Sequence, residues 1–400
     1  MAHGTYSRTN EACIMKTLRN IAILADKGQL VTDGKVVTQY RRILLPMGSE
    51  VETSGLFSVS KSSGLQYYPG KFPESVAFIQ WPVPQAQADQ FLIEDTISRD
   101  IAALLGYVFH RRIVVADEVK LQVEGSTLTT LIPACHKVDS RLYVPIQDKP
   151  DAIWEMLQKM FSMEADDQFD ALADAMRLYH GATVVAEVDY SAAYLLLVSA
   201  MESLAATFEQ GVARFEDWSE ASAWDNWIAD AGLSKVIADQ LRSRLVDNRA
   251  LRLRQRFISV GLRAATEDFW SLPWEHAWTK QHIDSRGKST FKGIDTGEQK
   301  DVTPAAIERD NLRSILGRVY DFRSALVHAG SPFPALTSLD FPSLAEFDLP
   351  NETGKAKKVA IPSLAWFERL VWFAIGECLR SADKDDTYRL PDVRIDPVRY

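Results

Sequence analysis

The chain has 400 residues, 46% of them apolar, and a formal net charge of −9. That is enough apolar material for a large core, in two domains or one large one. The acidic balance excludes a globally basic nucleic-acid coat but leaves room for a local cationic cleft.

Met1 to Lys16 has no apolar stretch of the secretory kind. Ala12 to Leu30 follows as a predicted helix, with Ile14, Leu18, Ile21 and Leu24 on one face. Short runs of β-forming residues come next, at Arg42–Leu45, Phe57–Ser60 and Val76–Trp81, separated by glycine, serine and proline. Gln85 to Val108 reads as a helix that turns Phe91, Ile97, Ile101, Leu104 and Leu105 inward. Strands at Ile113–Val115, Val119–Val123 and Thr129–Ile132 complete a mixed α/β region over residues 1–150, with a regulatory or sensing role expected.

Lys149-Pro150 marks the expected boundary, because the chain is helical in pattern from there to about residue 280. Asp151–Ser162 and Asp167–Tyr179 are amphipathic. Tyr190 to Glu209 is apolar nearly all round, which places it at the centre of a bundle. Its longest apolar run, Ala192 to Met201, is about half a membrane span. Glu202 is the carboxylate on that helix, and burial there requires a partner or a proton, with Arg323 the first candidate.

Residues 213–304 read as an insertion. Its helical part, Ala213 to Trp278, is rich in tryptophan and arginine, and Arg249, Arg252 and Arg256 are candidates for an RNA backbone. Solvated ion pairs are the competing reading of those arginines, and core packing that of the tryptophans. Lys280 to Pro304 is polar and glycine-bearing, and is expected to be a mobile loop. Pro304–Ala329 follows as a helix, Ser331–Ile361 as a proline-rich connection, and Pro362–Ala382 as a final helix. Residues 383–400 form a charged, extended tail.

Near the end of the Pro304–Ala329 helix stands Tyr320-Asp321-Phe322-Arg323-Ser324-Ala325-Leu326-Val327-His328-Ala329-Gly330. Gly330 is a natural left-handed terminator, and the prolines at 332 and 334 prevent continuation. Arg323 and His328 are about 7.5 Å apart along the axis and roughly 140° apart around it. A permanent cation beside a side chain that exchanges protons near neutral pH suits chemistry at a phosphodiester.

This Arg-x-x-x-x-His pattern at a helix end resembles the signature of HEPN ribonuclease domains, and the fuller string looks more narrowly like the ApeA-like HEPN group. The resemblance covers roughly residues 165–382, interrupted by the insertion. It implies an α+β chain in which the mixed α/β region precedes a mainly helical HEPN-like bundle over 151–382. It further implies a metal-independent RNA endonuclease, with no cofactor, acting in anti-phage defence or as a toxin. The ribose 2′-hydroxyl would attack the adjacent phosphorus and leave a cyclic phosphate. His328 would act as general base or acid and Arg323 would hold the phosphate. Glu202 and Tyr320 would support the arginine. Many HEPN ribonucleases carry Asn, Asp or His after the arginine; here Ser324 offers a donor and an acceptor instead. One histidine serves one side of an in-line displacement, so the resemblance implies a homodimer or higher homo-oligomer with a composite site. The expected partners are an RNA substrate, tRNA among the candidates, and a phage-derived or protein trigger. The alternative is a non-catalytic HEPN binding or assembly module, or a subunit of a larger defence complex.

Other chemistries are excluded by spacing. Gly287-Lys288-Ser289-Thr290 resembles the end of a phosphate-binding loop, but His282 occupies the position of its first glycine. Cys135, His136, His180, His276 and His282 lack metal-ligand spacing, and no Gly-x-Ser-x-Gly elbow is present. Cys13, Cys135 and Cys378, an odd set without Cys-x-x-Cys spacing, fit a reducing compartment. The expectation is a soluble cytoplasmic protein that does not engage a membrane.

Overall fold

The computed structural model describes residues 36–46, 51–52, 57–66, 74–84, 91–110, 113–115, 117–123, 126–132, 156, 158–163, 166–186, 188–209, 215–217, 221–247, 253–271, 279–283, 289–293, 309–331, 333, 344–350 and 356–382. These residues are mostly helical. The expected Ala12–Leu30 helix and the 383–400 tail lie outside them.

Strands β1 (Val36–Pro46), β2 (Val51–Glu52), β3 (Ser58–Gln66), β4 (Glu74–Pro84) and β5 (Val114–Val115) form an antiparallel sheet in the order β2-β3-β4-β1-β5. The long β1–β4 ladder runs in register from Val36 opposite Pro84 to Pro46 opposite Glu74. A separate hairpin pairs β6 (Asp117–Val123) with β7 (Ser126–Ile132). Helix α1 (Phe91–Phe109) lies between β4 and β5, and its residues 100–108 are buried without a break. A helix enclosed on every side needs cover from two directions. Ile97, Leu104, Tyr107 and Val108 therefore belong to one apolar core with Ile79 and Trp81 of the sheet and with the helices beyond residue 160. The described apolar residues on both sides of the expected boundary at Lys149-Pro150 share a single core.

The bundle is built from α2 (Asp166–Val185), α3 (Tyr190–Phe208), α6 (Leu253–Ala264), α8 (Leu312–Ala329) and α9 (Leu364–Ala382). Helices α2 and α3 form a tight hairpin, and α3 is started by Asp189, whose side chain accepts from the Ala192 amide at 2.9 Å. The centre of the bundle is α9 rather than α3: residues 364–379 are all buried, whereas α3 alternates buried and half-buried positions. The reason is that α9 packs against α2, α3 and α6 together, and its Trp372 indole donates to the Tyr107 carbonyl of α1. By length and composition α3 alone, among the described residues, is apolar enough to cross a membrane, and half of that window is buried inside the protein.

The insertion contains α4 (Ala221–Asp230), α5 (Lys235–Asp247), α6 and the short α7 (Glu267–Ser271). Helices α4 and α5 close over a small core of their own, Phe215, Ala221 and Leu245. Two stretches expected as connections carry hairpins. Within Lys280–Pro304, β8 (Thr279–Ile283) pairs with β9 (Ser289–Gly293). Within Ser331–Ile361, β10 (Leu344–Pro350) pairs with β11 (Ala356–Pro362). The alternation of Phe347 and Leu349 with Glu346 and Asp348 is a period-2 signal that the surrounding prolines obscure.

Two aromatic contacts and one close approach fix α8. Phe257 of α6 meets Tyr320 at 5.5 Å, and Phe333, just past the helix, stacks on Tyr194 of α3 at 4.4 Å. Gly261 lets α6 approach closely: a Cβ there would lie 2.5 Å from Leu316 Cδ1 and 3.2 Å from Met201 Cε.

Candidate active site

Helix α8 ends where the sequence says it should. Gly330 adopts φ 67°, its amide donates to the Leu326 carbonyl at 3.0 Å, and the Ser331 amide reaches back to Ala325 at 3.4 Å. A left-handed glycine whose amide bonds the carbonyl four residues back is the αL terminator, a position where an L side chain is disfavoured. The Phe333 amide then donates to Ser191 Oγ at 3.1 Å, tying the departing chain to the start of α3.

The motif residues divide between two faces of α8. Leu312, Ile315, Leu316 and Val319 face the core. Tyr320 and Arg323 stand at one border of that face, toward α3. The Arg323 Nη2 donates to Glu202 Oε2 at 2.9 Å, with 23% of the arginine and 11% of the glutamate side chain exposed. The Arg323 guanidinium also lies 5.9 Å from the centre of the Tyr320 ring. Burial raises the Glu202 pKa above the ordinary carboxylate value, opposed by the charge of Arg323 and by hydrogen bonds from Arg323 and Tyr320. Burial, with the nearby Glu202 charge, also raises the Tyr320 hydroxyl. The Arg323 Nε is buried and has no hydrogen-bond partner among the described residues. The expected Glu202–Arg323 pair and its tyrosine are thus brought together.

His328 is not part of that cluster. It is exposed in the last turn, beside Val327, which is 50% exposed, and among the described residues it makes no hydrogen bond or ion pair. At about 100° per residue, Gly317, Asp321, Ser324 and His328 recur four, three and four apart and line up along one edge opposite the core face, with Gly317 buried and the other three open to solvent in part or in full. Ser324 is half-buried on that edge. One chain therefore presents an inward-held arginine and an outward histidine, divided by one border of the helix.

Sequence reasoning missed a second cation on the histidine edge. Arg254, from the first turn of α6, donates to Asp321 through Nε at 3.0 Å and Nη2 at 3.3 Å. Its guanidinium lies across Gly317, where a Cβ would come within 2.7 Å of Nη2. The glycine within an otherwise regular helix was the available signal; the chain does not say which of the clustered arginines uses it. The others nearby are engaged differently. Arg242 pairs with Asp225 and Asp239, Arg263 pairs with Glu209 and donates to Cys378, and Arg256 is buried at 8% exposure. Arg249 and Arg252 lie outside the described residues.

Among the described residues, no group of three or more His, Cys, Asp or Glu side chains is placed to share a metal ion. Comparison of the chain with models of protein families, with curated proteins and with solved structures finds no match.

Proposed function

We propose that the chain is a HEPN-type RNA endonuclease that cleaves without a metal ion, at a composite site formed when two copies bring their α8 ends together. The observation that carries this reading is the pairing of Arg323 with Glu202 on the helix whose capped end presents a solvent-open histidine. In this reading the guanidinium, steered by Glu202 and Tyr320, neutralises charge growing on the phosphate oxygens. His328 takes the 2′-hydroxyl proton, and the histidine of the second copy protonates the leaving 5′-oxygen. The bond formed is 2′-oxygen to phosphorus and the bond broken is phosphorus to 5′-oxygen, so no water or redox partner is consumed. Ser324, on the His328 edge, supplies a hydroxyl for the substrate. We assign the remainder of the chain accordingly: a mixed α/β part over residues 1–150 that regulates the nuclease or senses its trigger, an insertion over 213–304, and a cytoplasmic setting in anti-phage defence.

A second reading has its own support. An arginine held by a half-enclosed glutamate is also what a purely architectural clamp looks like, and it suits a non-catalytic assembly module or a subunit of a larger defence complex. The two separate when purified protein is incubated with single-stranded RNA or tRNA in excess chelator, with its oligomeric state measured in parallel. The nuclease yields fragments ending in cyclic phosphate and 5′-hydroxyl from a dimer or larger assembly, and Arg323→Ala lowers the rate at least 100-fold. Intact RNA, or equal cleavage by Arg323→Ala, would remove the catalytic assignment.

A further inference from the structure

The Arg254–Asp321 pair has features that stability does not explain. Its side chains are 48% and 61% exposed, so the pair sits in the solvent-screened range where an ion pair contributes little to folding. It is nonetheless bidentate and seated on Gly317, a helical position where glycine is costly relative to alanine. The glycine brings the guanidinium flat against α8, on the same outward edge as Ser324 and His328. Asp321 and His328 are seven residues apart along that edge, about 10 Å. The distance suits a phosphate further along a strand whose scissile phosphate lies at His328. Phe257 of the same helix meets the Tyr320 ring at 5.5 Å, so α6 reaches the border of the Arg323 cluster.

A carboxylate that accepts two parallel N–H bonds from an arginine offers the oxygen spacing and charge of a phosphate. We infer that Arg254 is a second RNA-phosphate contact, and that in the free protein Asp321 occupies its fork as an internal substitute that the substrate displaces. The inference rests on the RNA reading above and adds to it a strand path: RNA runs along the Gly317–Asp321–Ser324–His328 edge, not across the Arg323 face alone. Because the resting pair is exposed, exchanging carboxylate for phosphate leaves no buried charge behind. The exchange is thus a competition between two anions for one fork, and its two members should respond to substitution in opposite directions.

The test uses the full chain carrying His328→Ala, so that RNA stays intact, and a fluorescent 20-nucleotide single-stranded RNA of mixed sequence. Affinity is read by anisotropy across a salt series. Adding Arg254→Ala, or Arg254→Gln to retain stem packing, should weaken binding about fivefold to tenfold and reduce the salt slope by about 0.7 to 1. Adding Asp321→Asn should tighten binding severalfold, and Arg254→Ala should abolish that gain. Gly317→Ala should weaken binding while holding or raising the melting temperature, since it improves the helix and displaces only the guanidinium. A parent protein that binds RNA with the same affinity and slope after Arg254→Ala and after Arg254→Gln would overturn the role of Arg254 and leave the His328 reading standing. Weaker binding after Asp321→Asn would overturn the displacement. No RNA binding by the parent at any salt would overturn both readings together.

Discussion

Two clusters in this protein combine a glutamate, a tyrosine and a basic side chain, and they differ in solvent access: one is sealed in the core, the other lies at its border. In the core, Glu368 of α9 accepts from the Tyr179 hydroxyl and meets His110 Nε2 at 3.1 Å, while the His110 ring stacks on Trp372 at 4.8 Å. His110 is 1% exposed and Glu368 4%. At the end of α8, Glu202 and Tyr320 hold an arginine that is still partly open, and His328 is exposed beyond it. The donor and acceptor types are alike, but only the second cluster is partly open to solvent. The first joins the end of α1 to α2 and α9, and its work is to hold those elements together.

The difference can be broken open by substitution. Removing one member of a sealed polar cluster strands the others without water, a loss of about 3–5 kcal/mol. Glu368→Ala should cost that much in urea unfolding, and Glu368→Gln less because one hydrogen bond survives. A loss below 1 kcal/mol would show that water reaches this cluster.

The neighbouring pair of Asp100 and Arg177 sharpens the same point through pH. Arg177 donates to Asp100 at 2.6 Å, yet burial outweighs the arginine and raises the Asp100 pKa to about 6. The folded protein therefore holds the proton more tightly than the unfolded chain does. Stability from this group is complete below about pH 4 and is lost as pH rises to about 6, a total on the order of 2–3 kcal/mol. Urea midpoints measured from pH 4 to 7 should show that fall, and Asp100→Asn should flatten it.

At the edge the expected stability effects are smaller. Glu202→Gln keeps the volume and removes the charge that holds Arg323, so it should cost about 1 kcal/mol of folding stability. Its cleavage rate should fall far more than that loss of stability explains. Equal rates for Glu202→Gln and the parent would make the glutamate purely architectural.

How much of this could be read beforehand follows the range of the interactions. The limits of α3 and the end of α8 were legible because they are local: an apolar 19-residue stretch, and a glycine with prolines beyond it. The Glu202–Arg323 pair was legible because a lone carboxylate on an apolar helix demands a partner. His110 and Glu368 are 258 positions apart, and no local pattern links them. Most strands of residues 36–132 were found in part, without Val51–Glu52, but not that their apolar side chains would merge with the helical core, since alternation reports a buried face and not what buries it. Arg254 was hidden for a related reason: its meaning depends on Gly317 and Asp321, which reach it only after the intervening insertion has folded back.

We assign chemistry to the exposed end of α8 and architecture to the buried cluster. The RNA cleavage rate of His328→Ala, measured beside the urea midpoint of the same preparation, separates the two. The rate should fall at least 100-fold below the parent with stability changed by less than about 0.5 kcal/mol, as for an exposed side chain away from packing. A variant that cleaves like the parent, or one whose lost activity follows lost folding, would contradict that assignment.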